Sequence, residues 1–178
     1  MQKAVLGILG YGTDLFRKSE YQRYGYRAAQ IAGSSSGVFG YKVDLVIPSG
    51  GFTNPKDLTL SEAAALSLFL KQWGIKTEIL LDEQSYTTRD NVASIFRLAS
   101  EQRSQKEHIV VLFCRAEWTL KVMNLAGGLS RGFEWRVETF DLGSHDEIKK
   151  QILGTVLSCV SFFDQLHKKL RRLKIFLG

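Results

Sequence analysis

Short, uninterrupted apolar runs recur along this chain, each followed by a longer stretch in which apolar residues return at helical spacing. That alternation constrains the fold more than any single motif. Strands are predicted at Ala4–Leu9, Asp44–Pro48, Thr77–Leu81, His108–Phe113 and Trp135–Phe140. Most of these runs are continuously apolar rather than alternating, the pattern of strands covered on both faces. Between them, helices are predicted over Tyr21–Gly33, Ser61–Trp73, Arg89–Arg103 and Glu117–Leu129, with a long amphipathic helix from Asp146 to about Phe176 at the end. Ser61 supplies an N-cap, Glu62 an acid beside the positive end of its helix, and Gly74 a stop. The expectation is an α/β fold: a three-layer α/β/α sandwich, Rossmann-like, around a mainly parallel sheet of about five strands. The 178 residues suffice for one well-cored domain and are short for two.

The net charge of +6 would suit a nucleic-acid partner if it were spread over the chain. Instead Lys168, Lys169, Arg171, Arg172 and Lys174 follow the last acid, Asp164, and the remainder is nearly neutral. Tyr24, Tyr26 and Tyr41 are not interleaved with clustered Lys or Arg, so a sequence-specific nucleic-acid role is not predicted. Residues 167–177 have the composition for weak contact with an anionic membrane surface, for a homo-oligomer interface, or simply for a solvated helix face. No apolar stretch approaches 18 residues and the first residues lack a signal-peptide pattern, so a cytoplasmic protein is expected. Cys114 and Cys159 have no neighbouring Cys or His at zinc spacing and are expected as buried, reduced thiols.

In an open parallel sheet, ligands bind beyond the carboxyl ends of the strands, so the loops after the first four strands are where chemistry is expected. The first carries Gly10 and Gly12, which suit either a tight turn or close approach of backbone to a ligand. Their spacing is neither the dinucleotide fingerprint nor a P-loop. Ser49-Gly50-Gly51 after the second strand reads either as a strand-to-loop turn or as a nest of backbone N–H groups for an anion. The third loop, Asp82 to Asn91, packs acids, hydroxyls, an arginine and an amide into ten residues. Thr87 or Thr88 caps the next helix, and Ser85, Thr87 and Asn91 are placed to bind a polar ligand at its N-terminus.

Taken in order, these segments resemble the YdcF/SanA/ElyC family, whose biochemical function is largely unassigned. The resemblance covers roughly residues 4–140: Gly10 and Gly12, Arg27 with Ala28, Ser49-Gly50-Gly51, Glu62-Ala63, and Glu83 through Ser85, Thr88 and Asn91. Thr87 and Asp90 stand where the family has Asn and Glu, and one departure matters more: the family's histidine after the fourth strand falls at Glu117, and its following arginine is missing or shifted to Lys121. A carboxylate and an imidazole are not interchangeable beside an anion, so the resemblance implies the fold more firmly than the chemistry.

Two functions compete. In the first, a phosphate-containing or nucleotide-like small molecule is bound, or bound and transformed, at the carboxyl edge of the sheet. Gly10, Gly12, Arg27, Ser49, Gly50, Gly51, Ser85, Thr88 and Asn91 would bind it, with Glu62, Glu83 and Glu117 as candidate acid–base groups. Glu62 and Glu83 also read as a helix-start acid and a solvated loop acid. A metal site would need Asp14, Glu62, Glu83 or Glu117 to converge, which spacing alone does not show, and the cofactor is left unknown. In the second, the chain is a non-catalytic interaction or membrane-surface protein that works through its basic C-terminal helix.

Overall fold

The computed structural model describes residues 1–16, 18–34, 39–53 and 58–141. The long helix predicted over 146–176, with its basic cluster and Cys159, lies outside the described residues.

Among those residues the chain forms β1 (Gln2–Leu9), α1 (Ser19–Ala32), β2 (Tyr41–Ser49), α2 (Glu62–Gln72), β3 (Glu78–Ile79), α3 (Thr88–Gln102), β4 (His108–Arg115), a 3₁₀ turn (Ala116–Trp118), α4 (Thr119–Leu129) and β5 (Trp135–Phe140). The strands make one sheet in the order β3-β2-β1-β4-β5, and every pairing is parallel. The result is the expected three-layer, Rossmann-like α/β/α arrangement. β1 leads to β2 and β3 on one side, and the chain then returns to place β4 and β5 on the other. The loops after β1 and β4 therefore diverge above neighbouring strands, opening a crevice at the carboxyl edge.

Each face of the sheet has its own apolar cluster. Ala4, Leu6 and Ile8 of β1 and Ile109, Val111 and Phe113 of β4 pack with Tyr24, Ala28 and Ile31 of α1 and Leu66, Phe69 and Leu70 of α2. Val5, Leu9, Leu45, Ile47, Val110 and Leu112 pack with Val92, Ile95, Phe96 and Ala99 of α3 and Val122 and Ala126 of α4. Successive strand residues serve opposite faces, which is why the central strands are apolar throughout.

The structure extends or trims several predicted elements, each for a physical reason. β2 begins at Tyr41 rather than Asp44, because Lys42 and Asp44 break the apolar run without breaking the ladder. The register between β1 and β2 shifts between Ala4 and Val5 and skips Asp44, a bulge that re-aims that side chain. β3 shrinks to Glu78–Ile79: it is an edge strand with one neighbour, and beyond it single bonds from Leu80 N–H to Val46 O, Asp82 N–H to Pro48 O and Gly50 N–H to Asp82 O prolong the pairing to an isolated bridge between Ser49 and Asp82.

Candidate functional site

A cavity of about 190 Å³ opens at the carboxyl edge. Leu9 and Gly10 line it from the end of β1, Thr53 and Glu62 from the β2–α2 side, and Ser85 to Thr88 with Asn91 from the β3–α3 side. Cys114, Arg115 and Trp118 close it from β4 and the 3₁₀ turn. Tyr24 of α1 also lines it, its hydroxyl 2.8 Å from Leu9 O and 3.2 Å from Phe113 O, where β1 and β4 end. Four successive strand-to-helix connections thus converge on one space.

Glu62 occupies the first position of α2, after the Ser61 cap, and its carboxyl reaches back under the glycine turns. Thr53 donates a short hydrogen bond to Glu62 Oε1, and the Gly12 amide donates to the same carboxyl. Burial pushes the Glu62 carboxyl above the ordinary glutamate value, and these two donors oppose that shift. This side chain crowds Gly10 and Gly50. A Cβ on Gly10 would overlap Glu62 Oε2, and one on Gly50 would sit 2.7 Å from the same atom. Gly12 has φ +108 and lies against the Tyr21 ring, so a side chain there would be strained and crowded.

Ser49-Gly50-Gly51 does not present an open nest of amides. Gly50 N–H donates to Asp82 O at 2.9 Å and Gly51 N–H to Ser85 O at 2.7 Å. The turn therefore stitches β2 to the β3–α3 loop. Asp82 tightens the seam: Ser49 Oγ donates to its Oδ2 at 2.5 Å, Ser85 Oγ to the same oxygen at 2.6 Å, and Gln84 N–H to Oδ1 at 3.3 Å. All three of Ser49, Asp82 and Ser85 are buried. The N-terminus of α2 is likewise consumed, with Glu62 N–H on Gly51 O, Ala63 N–H on Gly50 O and Ala64 N–H on Ser61 Oγ.

The N-terminus of α3 differs. Thr87 caps it, accepting from Asp90 N–H at 3.1 Å, and Asn91 N–H reaches Thr87 O at 2.9 Å. The amides of Thr88 and Arg89, in the first turn, have no intrahelical acceptor. One turn on, Asn91 is only 8% exposed, and its Oδ1 is buried with no hydrogen-bond partner among the described residues. A buried amide oxygen left in that state costs about 1–3 kcal/mol unless something in the cavity satisfies it. Turning the amide over would present its N–H₂ to the same space, so Asn91 can serve a donor or an acceptor.

Arg115 brings a cation to the opposite wall. Its guanidinium pairs with Glu117 at 2.9 Å and lies over the Tyr11 ring at 4.0 Å. Cys114 beside it is buried, and burial together with the Glu117 charge pushes its thiol up to about 12. It is a neutral wall of the cavity, not a nucleophile. Tyr86, 63% exposed, and Trp118, 38% exposed, supply aromatic surface at the mouth.

Of the residues singled out in the sequence, Gly10, Glu62, Ser85, Thr87, Thr88 and Asn91 lie on the cavity. Gly12, Ser49, Gly50 and Gly51 build its frame through the contacts above. Glu83 accepts from Ser61 Oγ at 2.6 Å and Glu117 holds Arg115; neither lines the cavity. Arg27 is elsewhere: it bonds Gln30 Oε1 at 3.2 Å and covers the Phe39 ring, which precedes β2 at the far edge. Among the described residues no group of three or more His, Cys, Asp or Glu is placed to hold a metal. None of their helices is long and apolar enough to cross a membrane. Thr53, Tyr24, Arg115 and Trp118 were not picked out as site residues. Arg115 had a usable signal, as the first charge at the carboxyl end of β4; Thr53, in an aperiodic loop, had none. Comparison with protein-family models, curated proteins and solved structures finds no match to this chain.

Proposed function

We propose that this chain is a YdcF-like protein that binds a phosphate-containing or nucleotide-like small molecule at the carboxyl edge of its sheet. The observation that carries this reading is Asn91: a buried amide with an unsatisfied oxygen, facing a cavity beside the open first turn of α3. Backbone amides and the positive end of that helix favour an anionic group, and Arg115 adds a guanidinium suited to phosphate geometry. Tyr86 and Trp118 offer faces on which a planar ring outside the cavity would stack. Glu62 is the acid–base group of this reading, since it alone of the candidate acids reaches the cavity. The free, buried Cys114 suits a reducing compartment, and a cytoplasmic setting belongs to the same proposal.

Calorimetric titration of phosphate, sulfate and a panel of nucleotides tests it, with Asn91→Leu as the comparison. The wild type should bind at millimolar concentration or tighter, with nucleotides ahead of inorganic phosphate. Asn91→Leu should weaken binding about tenfold or more, the worth of one or two polar contacts. If no anion binds the wild type, or both proteins bind alike, the pocket is misread and a role in protein or membrane-surface interaction takes its place.

A further inference from the structure

The cavity that offers Asn91 and the α3 N-terminus to an anion also contains an acid. Glu62 lines it, and among the described residues no cation pairs with that carboxyl; its partners are the Thr53 hydroxyl and the Gly12 amide. Glu62 and Asn91 line the same cavity of about 190 Å³, so an anion seated on Asn91 shares a small space with that carboxyl. Two like charges so placed repel strongly. A neutral carboxylic acid in the same place does the opposite, because its O–H donates to an oxygen of the anion.

We propose that this pocket takes up a tetrahedral oxyanion together with one proton, the anion seated against Asn91 and the first turn of α3 and the proton carried by Glu62. The inference rests on the binding reading above and specifies its ligand as a phosphate or sulfate group that accepts a hydrogen bond from Glu62. The proton comes from solvent onto the carboxylate, and the bound anion keeps its own charge. Burial already inclines Glu62 toward the neutral form in the empty pocket, and the anion pushes it further. By linkage, a proton on Glu62 strengthens anion binding by the same factor.

Other ionisable groups face this space from α1, β4 and the β3–α3 loop. Tyr24 from α1 is pushed up by burial, as is Cys114 from β4, so neither gains or loses a proton near neutrality. Arg115 is a guanidinium paired with Glu117, and Tyr86 contributes a phenol from the β3–α3 loop.

Sulfate is the probe, because it stays a dianion from about pH 5 to about pH 8 and any proton gained belongs to the protein. At a pH where Glu62 is ionised in the empty protein, calorimetry in two buffers of different ionisation enthalpy should show uptake approaching one proton per sulfate bound, falling toward none at lower pH. Affinity should fall as pH rises, by up to tenfold per pH unit once Glu62 is ionised in the empty protein. Glu62→Gln should bind sulfate with no pH slope, near the wild type's low-pH affinity. Thr53→Val removes a donor that favours the charged carboxyl, so its affinity should begin to fall at higher pH than the wild type's. A flat wild-type profile, or an unchanged slope in Glu62→Gln, overturns this inference while leaving anion binding in place. Sulfate binding absent from the wild type at every pH overturns the binding reading and the inference with it.

Discussion

At the amino edge of the sheet, where β3 and β4 begin and α3 ends, the acids are held by an arginine and a histidine ring. Arg103 lies 2.6 Å from Glu78 and 3.5 Å from Asp44, and His108 Nε2 lies 2.9 Å from the other Asp44 oxygen. His108 Nδ1 meets Ser104 O at 3.1 Å. At the carboxyl edge Glu117 is paired with Arg115, but Glu62, Asp82 and Glu83 are held by neutral donors: Thr53 and the Gly12 amide, Ser49 and Ser85, and Ser61. Charges that are paired with charges have little left to offer a ligand. Acids held by hydroxyls and amides in a cavity keep their charge, or their proton, available, and that separates a stabilising edge from a working one.

The sharpest way to break this contrast is Asp82→Ala. Asp82 is buried, and its loss strands two buried hydroxyls that have no other partner in the seam. Each unsatisfied hydroxyl costs about 1–3 kcal/mol, so a loss of about 3 kcal/mol is expected in urea unfolding. That loss should be nearly independent of salt, because the partners are neutral. A cost below about 1 kcal/mol would show that water replaces Asp82 freely and that the seam is not a buried clasp.

Next in size is Gly10→Ala. The new methyl would overlap Glu62 Oε2 and stand 3.0 Å from Glu62 Cβ and Ser49 O, so overpacking of about 2 kcal/mol is expected. The same substitution in a Glu62→Ala background should cost at least about 1 kcal/mol less, since the atom it displaces is gone. Equal costs in both backgrounds would mean that Gly10 serves the turn itself and not the carboxyl.

Asp44→Ala probes the other edge and should cost less, about 1 kcal/mol. Its pair with Arg103 is partly open to solvent, with side-chain exposures of 29% for Asp44 and 20% for Arg103, which screens it, whereas its other partner, His108, is buried. Unlike the Asp82 effect, this one should shrink between about 0.05 and 1 M salt as the Debye length contracts. A salt-independent Asp44 effect would erase the distinction between the two edges.

The strands were legible because burial on both faces forces apolar residues into every position, a demand that survives without knowledge of neighbours. Where the demand relaxes, as at Lys42 and Asp44 in β2, the boundary was lost. The loops of the site were legible for a topological reason: in a parallel sheet they share an edge. Which amide faces which carbonyl was not, and so Gly50 and Gly51, whose amides are spent on Asp82 and Ser85, could be read as an open nest. Arg27 fails for a metric reason. It lies three residues beyond Tyr24 on a helix leading away from the cavity, about 4.5 Å farther along the axis. The cation on the cavity is Arg115, and nothing in its immediate sequence separates it from other loop arginines except its place at the end of β4.

The smallest expected effect concerns Glu62 and tests whether an acid held only by neutral donors weakens the fold. In the folded chain its carboxyl titrates above the ordinary glutamate value of 4.5, with burial as the largest cause. Between that value and the raised one, the folded protein binds more protons than the unfolded chain, so stability falls as pH rises through this window. Below it the carboxyl is neutral in both states and its contribution is fully present; above it the carboxyl is charged in both, and the loss is complete. Glu62→Gln removes the titration but keeps the shape, and its carbonyl can still accept from Thr53. The variant should therefore melt higher relative to the wild type at pH 8 than at pH 4, with the gap opening only above the ordinary glutamate value. Thermal melts across that range read the difference directly. A gap that stays constant with pH would mean that water or a cation compensates the buried carboxylate, and the carboxyl edge would then handle its acid as the amino edge handles Asp44. A gap that narrows as pH rises would mean the folded state prefers the charged form, and the proton assigned to Glu62 would have to reside elsewhere.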